Sequence, residues 1–291
     1  MEVIHLRCGA MHAEVLPEAA GGLGRLDWGP HALLRPHVHV PDAPAPTTSQ
    51  LACFPLVPWS NRIDPAGFAF EGRRIVPAPN RHGEPCPIHG DGWQHPWRVE
   101  AVSGSGVNLL LDRRDGAPFS YVARLRYVLT ERALHVTLDV SNTGPRRMPF
   151  GLGLHPWIER RDGVTLRASA HGSWTRDALG LPLDAIDLPL EWDFRQAKSL
   201  PDTHVDHLFR GWDGKAEVHW PDTGVSLAIE ADMNYYILYA PTKRDVFCFE
   251  PVDHAINAGN LPGGAAHNGL RILAPGQTLS RRVVFRVMEA A

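Results

Sequence analysis

Three segments of this chain set chemically capable side chains among Gly, Pro and Trp. Residues 55–93 open on P-L-V-P-W-S-N-R-I-D, pass through G-F-A-F-E-G and close on C-P-I-H-G-D-G-W. Residues 149–158 read P-F-G-L-G-L-H-P-W-I, and residues 246–258 read V-F-C-F-E-P-V-D-H-A-I-N-A. His155 sits between Leu154 and Pro156. The proline biases it toward an extended backbone and is expected to end the strand there, aiming the imidazole into a cleft. An imidazole titrating near neutral pH suits general acid work. Glu250 closes a run in which Phe247 and Phe249 alternate with Cys248, and Pro251 follows it. Partial desolvation there raises a carboxyl pKa toward the range useful to a general base. His89 is wedged between Ile88 and Gly90. Gly90 and Gly92 would let the backbone come close to a ligand, and Trp59 and Trp93 offer flat apolar faces for a ligand's C–H groups. V-D-H-L-F at 205–209 adds Asp206 and His207. Plain alternatives stand beside these readings: a core imidazole bonded to a backbone carbonyl for His155, a satisfied turn histidine for His89, a solvated rim carboxylate for Glu250.

Two histidines and a glutamate on separate strand ends supply an acid and a base but no nucleophile. Ser60 lacks the G-x-S-x-G setting of an activated serine. No Gly-rich loop runs into a helix to cradle a phosphate or dinucleotide. Proton transfer is the reaction class that needs only these parts. A metal set drawn from His82, His89 and His95 or Asp91 matches no ligand spacing.

The elements that must hold these residues are strands. The 27 Gly and 26 Pro are spread along the whole chain, which suits many short strands joined by turns. Apolar side chains alternate with period two across 121–129, with Arg124 and Arg126 on the opposite face, and again across 133–142. Shorter alternating runs lie at 107–111, 164–168, 225–231, 235–239, 246–250 and 282–287. Such alternation marks half-buried strands. No stretch carries a helical apolar stripe free of Pro and Gly. Strands without interleaved helices predict antiparallel sheets packed face to face, an all-β sandwich. Residues 178–202 lack alternation and are expected to form a long loop. With no internal repeat and no linker, residues 1–291 read as one domain.

Composition narrows the function further. Of the residues, 44% are hydrophobic and 21% charged, with a formal net charge of −3. A soluble protein fits those figures; nucleic-acid binding, which shows as a basic stripe, does not. The pairs Arg73-Arg74, Arg146-Arg147 and Arg160-Arg161 are expected at solvated strand ends, with a phosphate clamp as the sharper reading. Cys8, Cys53, Cys86 and Cys248 form no C-x-x-C pair. No apolar stretch is long enough for a membrane span, and no leader pattern opens the chain. A cytoplasmic enzyme with reduced thiols is the expectation.

Taken in order, S-N-R-I, G-F-x-F-x-G, I-H-G-x-G-W, G-L-H-P, D-H-L-F and F-E-P resemble the aldose 1-epimerase (galactose mutarotase-like) family. The match spans residues 51–260. Each motif is weak alone; six in order are strong. G-L-G-L-H-P-W at 151–157 resembles a shorter bacterial subgroup. The resemblance implies a single antiparallel β-supersandwich that interconverts the anomers of a free aldose. It implies that His155 protonates the ring oxygen, that Glu250 takes the proton of the anomeric hydroxyl, and that His89 helps hold and polarise the ring oxygen. Arg62 and Asp206 look like sugar-hydroxyl ligands, Asn61 accompanies Arg62, and Trp157 is expected among the substrate-binding residues. Glutamate must then start ionised and His155 protonated. No metal or organic cofactor is expected, the partner is a small sugar, and the assembly is a monomer or homodimer. Rivals on the same fold are a hexose-6-phosphate 1-epimerase, whose phosphate the Arg pairs would meet, a non-catalytic carbohydrate-binding protein, and a lyase or transferase.

Overall fold

The computed structural model describes residues 1–38, 44–242 and 244–289. Two large antiparallel sheets hold nearly all of its regular structure. The first has eleven strands. Its order is Ile4–Cys8, Met11–Leu16, Gly22–Trp28, Cys53–Leu56, Gly153–Glu159, Val246–Val252, Tyr235–Ala240, Val205–Arg210, Gly172–Arg176 and Pro182–Ile186, with His31–Leu34 paired to Gly22–Trp28. The second has nine, in the order Lys198–Ser199, Thr165–Ala168, Lys215–Trp220, Val225–Ala231, Thr278–Glu289, Ala133–Asn142, Tyr121–Leu129, Gly106–Arg113 and Arg98–Val102. Two small antiparallel pairs complete the set, Met148–Phe150 with Arg271–Leu273 and the hairpin Phe68–Phe70 with Arg73–Ile75.

Alternation decides which side chains meet between the sheets. Leu154, Leu238 and Phe249 of the first sheet share one core with Leu125, Val136, Leu227 and Phe285 of the second. Each such side chain, taken out of water, contributes about 1.5–3 kcal/mol. The residues between them in sequence turn to the other face of the first sheet, and those include His155 and Glu250.

The strands at Tyr121–Leu129 and Ala133–Asn142 have the expected bounds and pair in register from Tyr121↔Asn142 to Leu129↔Leu134. Three expectations are corrected. Pro156 does not end its strand: the Trp157 N–H donates to the Ala52 carbonyl at 2.8 Å, and pairing continues to Glu159. Val246–Val252 likewise runs through Pro251. His155 and Glu250 therefore stand within strands, not at strand ends, because the neighbouring residues keep the ladder where a proline lacks its N–H. Residues 178–202 are not all loop. They contain Pro182–Ile186 and Lys198–Ser199, the end strands of the two sheets, and the turn Leu190–Trp192. An end strand bonds on one side only, so it tolerates proline and shows little alternation. The α-helix Gly264–His267 has four residues, and no helix among the described residues is long and apolar enough to cross a membrane.

Candidate active site

The outward face of the eleven-stranded sheet is the floor of a cavity of about 710 Å³. Register explains which side chains reach it. His155 lies across from Phe54 on one side. On the other side Gly153 faces Val252 and Trp157 faces Cys248, so positions 155 and 250 oppose each other between them. Tyr239, one strand further, lies across from Cys248 and from Asp206. Period two then puts Phe54, His155, Trp157, Glu250, Tyr239 and Asp206 on one face, and all six line the cavity.

His155 Nε2 is 3.4 Å from Glu250 Oε1. The imidazole stacks between Phe54, with ring centroids 4.5 Å apart, and Trp157, at 5.3 Å, while His89 meets it edge-on at 5.4 Å. Only 9% of His155 and 2% of Glu250 are exposed, so water has little part in fixing their charge.

The wall is built from loops. Asn61 and His89 both adopt left-handed backbone, with φ of 53° and 61°. That conformation is uncommon outside glycine and is held here by reciprocal bonds. The His89 N–H donates to the Asn61 carbonyl, and the Asn61 N–H donates to His89 Nδ1, each at 3.0 Å. With Nδ1 accepting, a neutral His89 carries its proton on Nε2. The Asn61 side-chain oxygen accepts the Arg62 N–H at 2.9 Å. Arg62 donates through Nε and Nη2 to Glu84 Oε2, at 3.1 and 2.8 Å. Asp206 forms an ion pair with Arg176 at 3.0 Å. His155, Glu250, His89, Asn61, Arg62, Asp206 and Trp157, chosen from sequence, thus all border one cavity.

The remaining sequence candidates divide between the cavity and other places. His207 turns away from the cavity and packs on Trp192, with centroids 4.2 Å apart. Trp93 borders the cavity and donates Nε1–H to the Gly90 carbonyl at 2.9 Å, but Trp59 is buried against Phe119. Gly90 and Gly92 make room for the chain itself, not for a ligand. A Cβ on Gly90 would lie 2.0 Å from the Val57 carbonyl oxygen, and one on Gly92 2.3 Å from Val57 Cγ1. The metal set around His82, His89 and His95 is not assembled: Asp91 pairs with Arg113 outside the cavity, and His95 lies beside Asp91. Nor do the Arg pairs form a clamp. Arg147 pairs with Glu71, Arg161 with Glu159, and Arg74 and Arg160 donate to backbone carbonyls.

The family model described as aldose 1-epimerase matches residues 34–286. The chain belongs to the aldose 1-epimerase family. It is 32% identical to the Escherichia coli K12 protein YphB over 246 residues, covering 81% of this chain and 83% of that one. To YihR of the same organism it is 26% identical over 274 residues, covering 89% and 86%. A solved Escherichia coli K12 structure superposes over 99% of both chains with a TM-score of 0.92 and 29% identity. A galactose mutarotase-like protein from Clostridium acetobutylicum, 18% identical, shares the fold over 99% of this chain and 95% of its own, with a TM-score of 0.85.

In this member of the aldose 1-epimerase family, burial sets the charge of the central pair. It raises the Glu250 pKa well above the ordinary carboxyl value, Asp206 adds to the shift, and Arg62 opposes it. Burial draws His155 down to about 3, helped by the charges of Arg81 and Arg35. His89 is also pulled well below the usual imidazole value, by burial and then by His155, Arg62 and Arg81. The carboxyl therefore behaves as its sequence setting suggests, whereas an imidazole titrating near neutrality is not what the site holds. Aromatic rings stack on both faces of His155 and strip it of the water that would solvate an imidazolium.

One metal-capable trio does meet here: ligand atoms of His155, Cys248 and Glu250 lie within 4.8 Å of one another. Burial raises the Cys248 thiol well above its ordinary value and keeps it protonated, which suits a hydrophobic filler better than a thiolate ligand. Sequence reasoning missed Phe54, Tyr239, Glu84, Arg81 and Arg244 of the cavity. Tyr239 had a usable signal, its alternation within 235–239. The two arginines had none, since both sit in irregular loop sequence.

Proposed function

We propose that this chain is a working aldose 1-epimerase, which opens and recloses the ring of a free sugar and so interconverts its anomers. The observation that carries the reading is the contact between His155 Nε2 and Glu250 Oε1, 3.4 Å apart on the floor of a sugar-sized cavity. The ring oxygen and the anomeric hydroxyl of an aldose are bonded to the same carbon. The acid and base that serve them must therefore stand side by side.

In this reading Glu250 removes the proton of the anomeric hydroxyl while His155 gives one to the ring oxygen. The C1–ring-oxygen bond breaks and C1 becomes an aldehyde. Rotation about C1–C2 presents the other carbonyl face, and closure reverses both transfers. The pair holds one proton throughout. Before opening it must lie on His155; after opening it lies on Glu250, the distribution that burial by itself favours. Hydrogen bonds from the bound sugar to the carboxylate and from the imidazolium to the ring oxygen shift that proton to His155 without exchange with solvent. His89, with Nε2–H free of the Asn61 contact, adds a donor toward the ring oxygen. Arg62, Asn61 and Asp206 hold sugar hydroxyls and Trp157 flanks the ring, a role supported by their places on the cavity wall. No step needs a metal or organic cofactor. The whole chain acts as one domain, since the strands at 153–159 and 246–252 are neighbours in one sheet.

Polarimetry on freshly dissolved pure anomers tests the proposal. It predicts faster mutarotation than buffer alone for at least one aldose. Binding of a sugar with no acceleration of any would instead make the protein a carbohydrate-binding relative.

A further inference from the structure

A second group of metal-capable side chains stands near the start of the chain. The strands Ile4–Cys8, Met11–Leu16 and Gly22–Trp28 are the first three at one end of the eleven-stranded sheet. Register sets His5 across from Glu14, His12 across from Arg7 and Asp27, and Glu14 across from Arg25. Leu6, Ala13, Val15 and Leu26 alternate with them into the core. Period two therefore turns these polar side chains together onto the outward face. None of them borders the cavity.

His5 Nδ1 is 3.3 Å from His12 Nε2 and 3.8 Å from Glu14 Oε1. The three ligand atoms lie within 4.8 Å of one another. Tetrahedral zinc, with bonds of about 2.0–2.1 Å to nitrogen, holds two imidazole nitrogens about 3.3 Å apart. A hydrogen bond between two imidazoles needs one nitrogen to donate; a metal ion takes the place of that proton and uses both lone pairs.

The surroundings favour ligation by His12. Asp27 Oδ2 lies 3.7 Å from His12 Nδ1. A carboxylate there draws the ring proton to Nδ1 and leaves the Nε2 lone pair turned toward His5 and Glu14, as outer carboxylates do for metal-bound histidines. Asp27 Oδ1 is buried with no hydrogen-bond partner. Burial, then Arg7, lowers the His12 pKa, which keeps the ring neutral and able to ligate. Arg25 reaches both carboxylates, with Nε 2.6 Å from Asp27 Oδ2 and Nη1 3.8 Å from Glu14 Oε1. A cation on Glu14 competes only with the longer contact.

We propose that His5, His12 and Glu14 bind a divalent ion of the zinc class, with Asp27 orienting His12 and solvent completing the shell beside the half-exposed His5. Two imidazoles and one carboxylate suit zinc and its first-row neighbours; magnesium and calcium take oxygen shells. The ion would staple Ile4–Cys8, which ends its sheet and pairs on one side only, to Met11–Leu16. The site is independent of the epimerase reading and takes no part in that reaction.

Isothermal titration of chelator-treated protein with zinc chloride tests the proposal, beside a parallel titration with magnesium chloride. Wild type should take one zinc ion here with micromolar affinity or tighter and leave magnesium unbound. His5→Ala and His12→Ala should each weaken that affinity by well over tenfold, and Asp27→Asn by about tenfold. Glu250→Gln, which alters the trio in the cavity, should keep it. Saturating zinc should raise the Tm of wild type by several degrees and leave that of His5→Ala unmoved. His5 is half exposed, so its variant should fold, and metal-free circular dichroism matching wild type checks this. Weak zinc uptake spread among the 16 histidines, an adventitious ion only, overturns the proposal. So does a zinc affinity unchanged in both histidine variants.

Discussion

His254 accepts the backbone N–H of Ser60 on Nε2 at 2.9 Å, across 194 residues of sequence. Its other nitrogen, Nδ1, meets the Ala255 carbonyl at 2.8 Å. The contact ties the segment after Glu250 to the residue before Asn61. Nearby bonds do the same for the rest of the site. Asp253 accepts the Leu152 N–H at 2.9 Å, and the Asn257 N–H reaches the Arg62 carbonyl at 3.0 Å. The stretch after the glutamate thus fixes the positions of the other two chemical segments.

Replacing His254 should cost stability in a pH-dependent way. Burial lowers its pKa from 6.5 to about 4. Between those values the unfolded chain binds a proton that the folded chain does not. The histidine's contribution is therefore full above pH 6.5 and falls as pH drops toward 4, by about 1.4 kcal/mol per unit. His254→Leu leaves the Ser60 N–H without an acceptor and should lose about 1–3 kcal/mol at pH 7. Urea denaturation should show the gap to wild type shrinking by about 2 kcal/mol at pH 5. A gap that does not change with pH would refute the assignment.

Glu250→Gln should be inactive yet more stable than wild type. Glu250 Oε2 is buried without a hydrogen-bond partner, and burial raises the carboxyl pKa. Above pH 4.5 the unfolded chain gives up a proton that the folded chain keeps, so this residue increasingly favours unfolding as pH rises. The variant's advantage should be largest at pH 8, at about 1 kcal/mol or more, and fade toward pH 4.5. Denaturant midpoints at the two pH values decide it. An advantage independent of pH would mean that Glu250 is not a buried, destabilised carboxyl.

Gly90 and Gly72 both have a φ of 72° or slightly less, 67° and 72°, but differ in surroundings. A Cβ at Gly72 meets nothing within 4 Å, so Gly72→Ala should cost about 1 kcal/mol for the left-handed backbone alone. Gly90→Ala also drives a methyl into the Val57 carbonyl and should cost about 3 kcal/mol or more. It should also displace His89, its neighbour in the chain. Thermal unfolding of the two variants separates the effects; equal losses would contradict the close packing at Gly90.

Much of this was legible in the residue pattern. Period two located the strand that carries Glu250, because its inward neighbours Phe247 and Phe249 are apolar and buried, whereas His155 and Asp206 stood out by the residues beside them and not by alternation. The left-handed backbone at His89 and Asn61, which is not glycine, gave no such mark. Pro156 and Pro251 misled about strand ends, since the pattern carries no sign that Trp157 keeps its bond to Ala52. Gly90 suggested a ligand where the structure has Val57. The low proton affinity of His155 depends on Phe54, 101 positions away in sequence and adjacent only through strand pairing. Arg81 and Arg244 became visible only once the cavity existed, because bordering it is a property of the assembled wall.

The central claim is that His155 and Glu250 share one proton and act as a unit. Saturation-transfer NMR measures anomer exchange directly on whichever aldose wild type accelerates. The account predicts a loss of about 10³-fold in His155→Ala and in Glu250→Gln, with the double variant no slower than either one. Exchange that persists in either variant, or losses that multiply in the double variant, would contradict it.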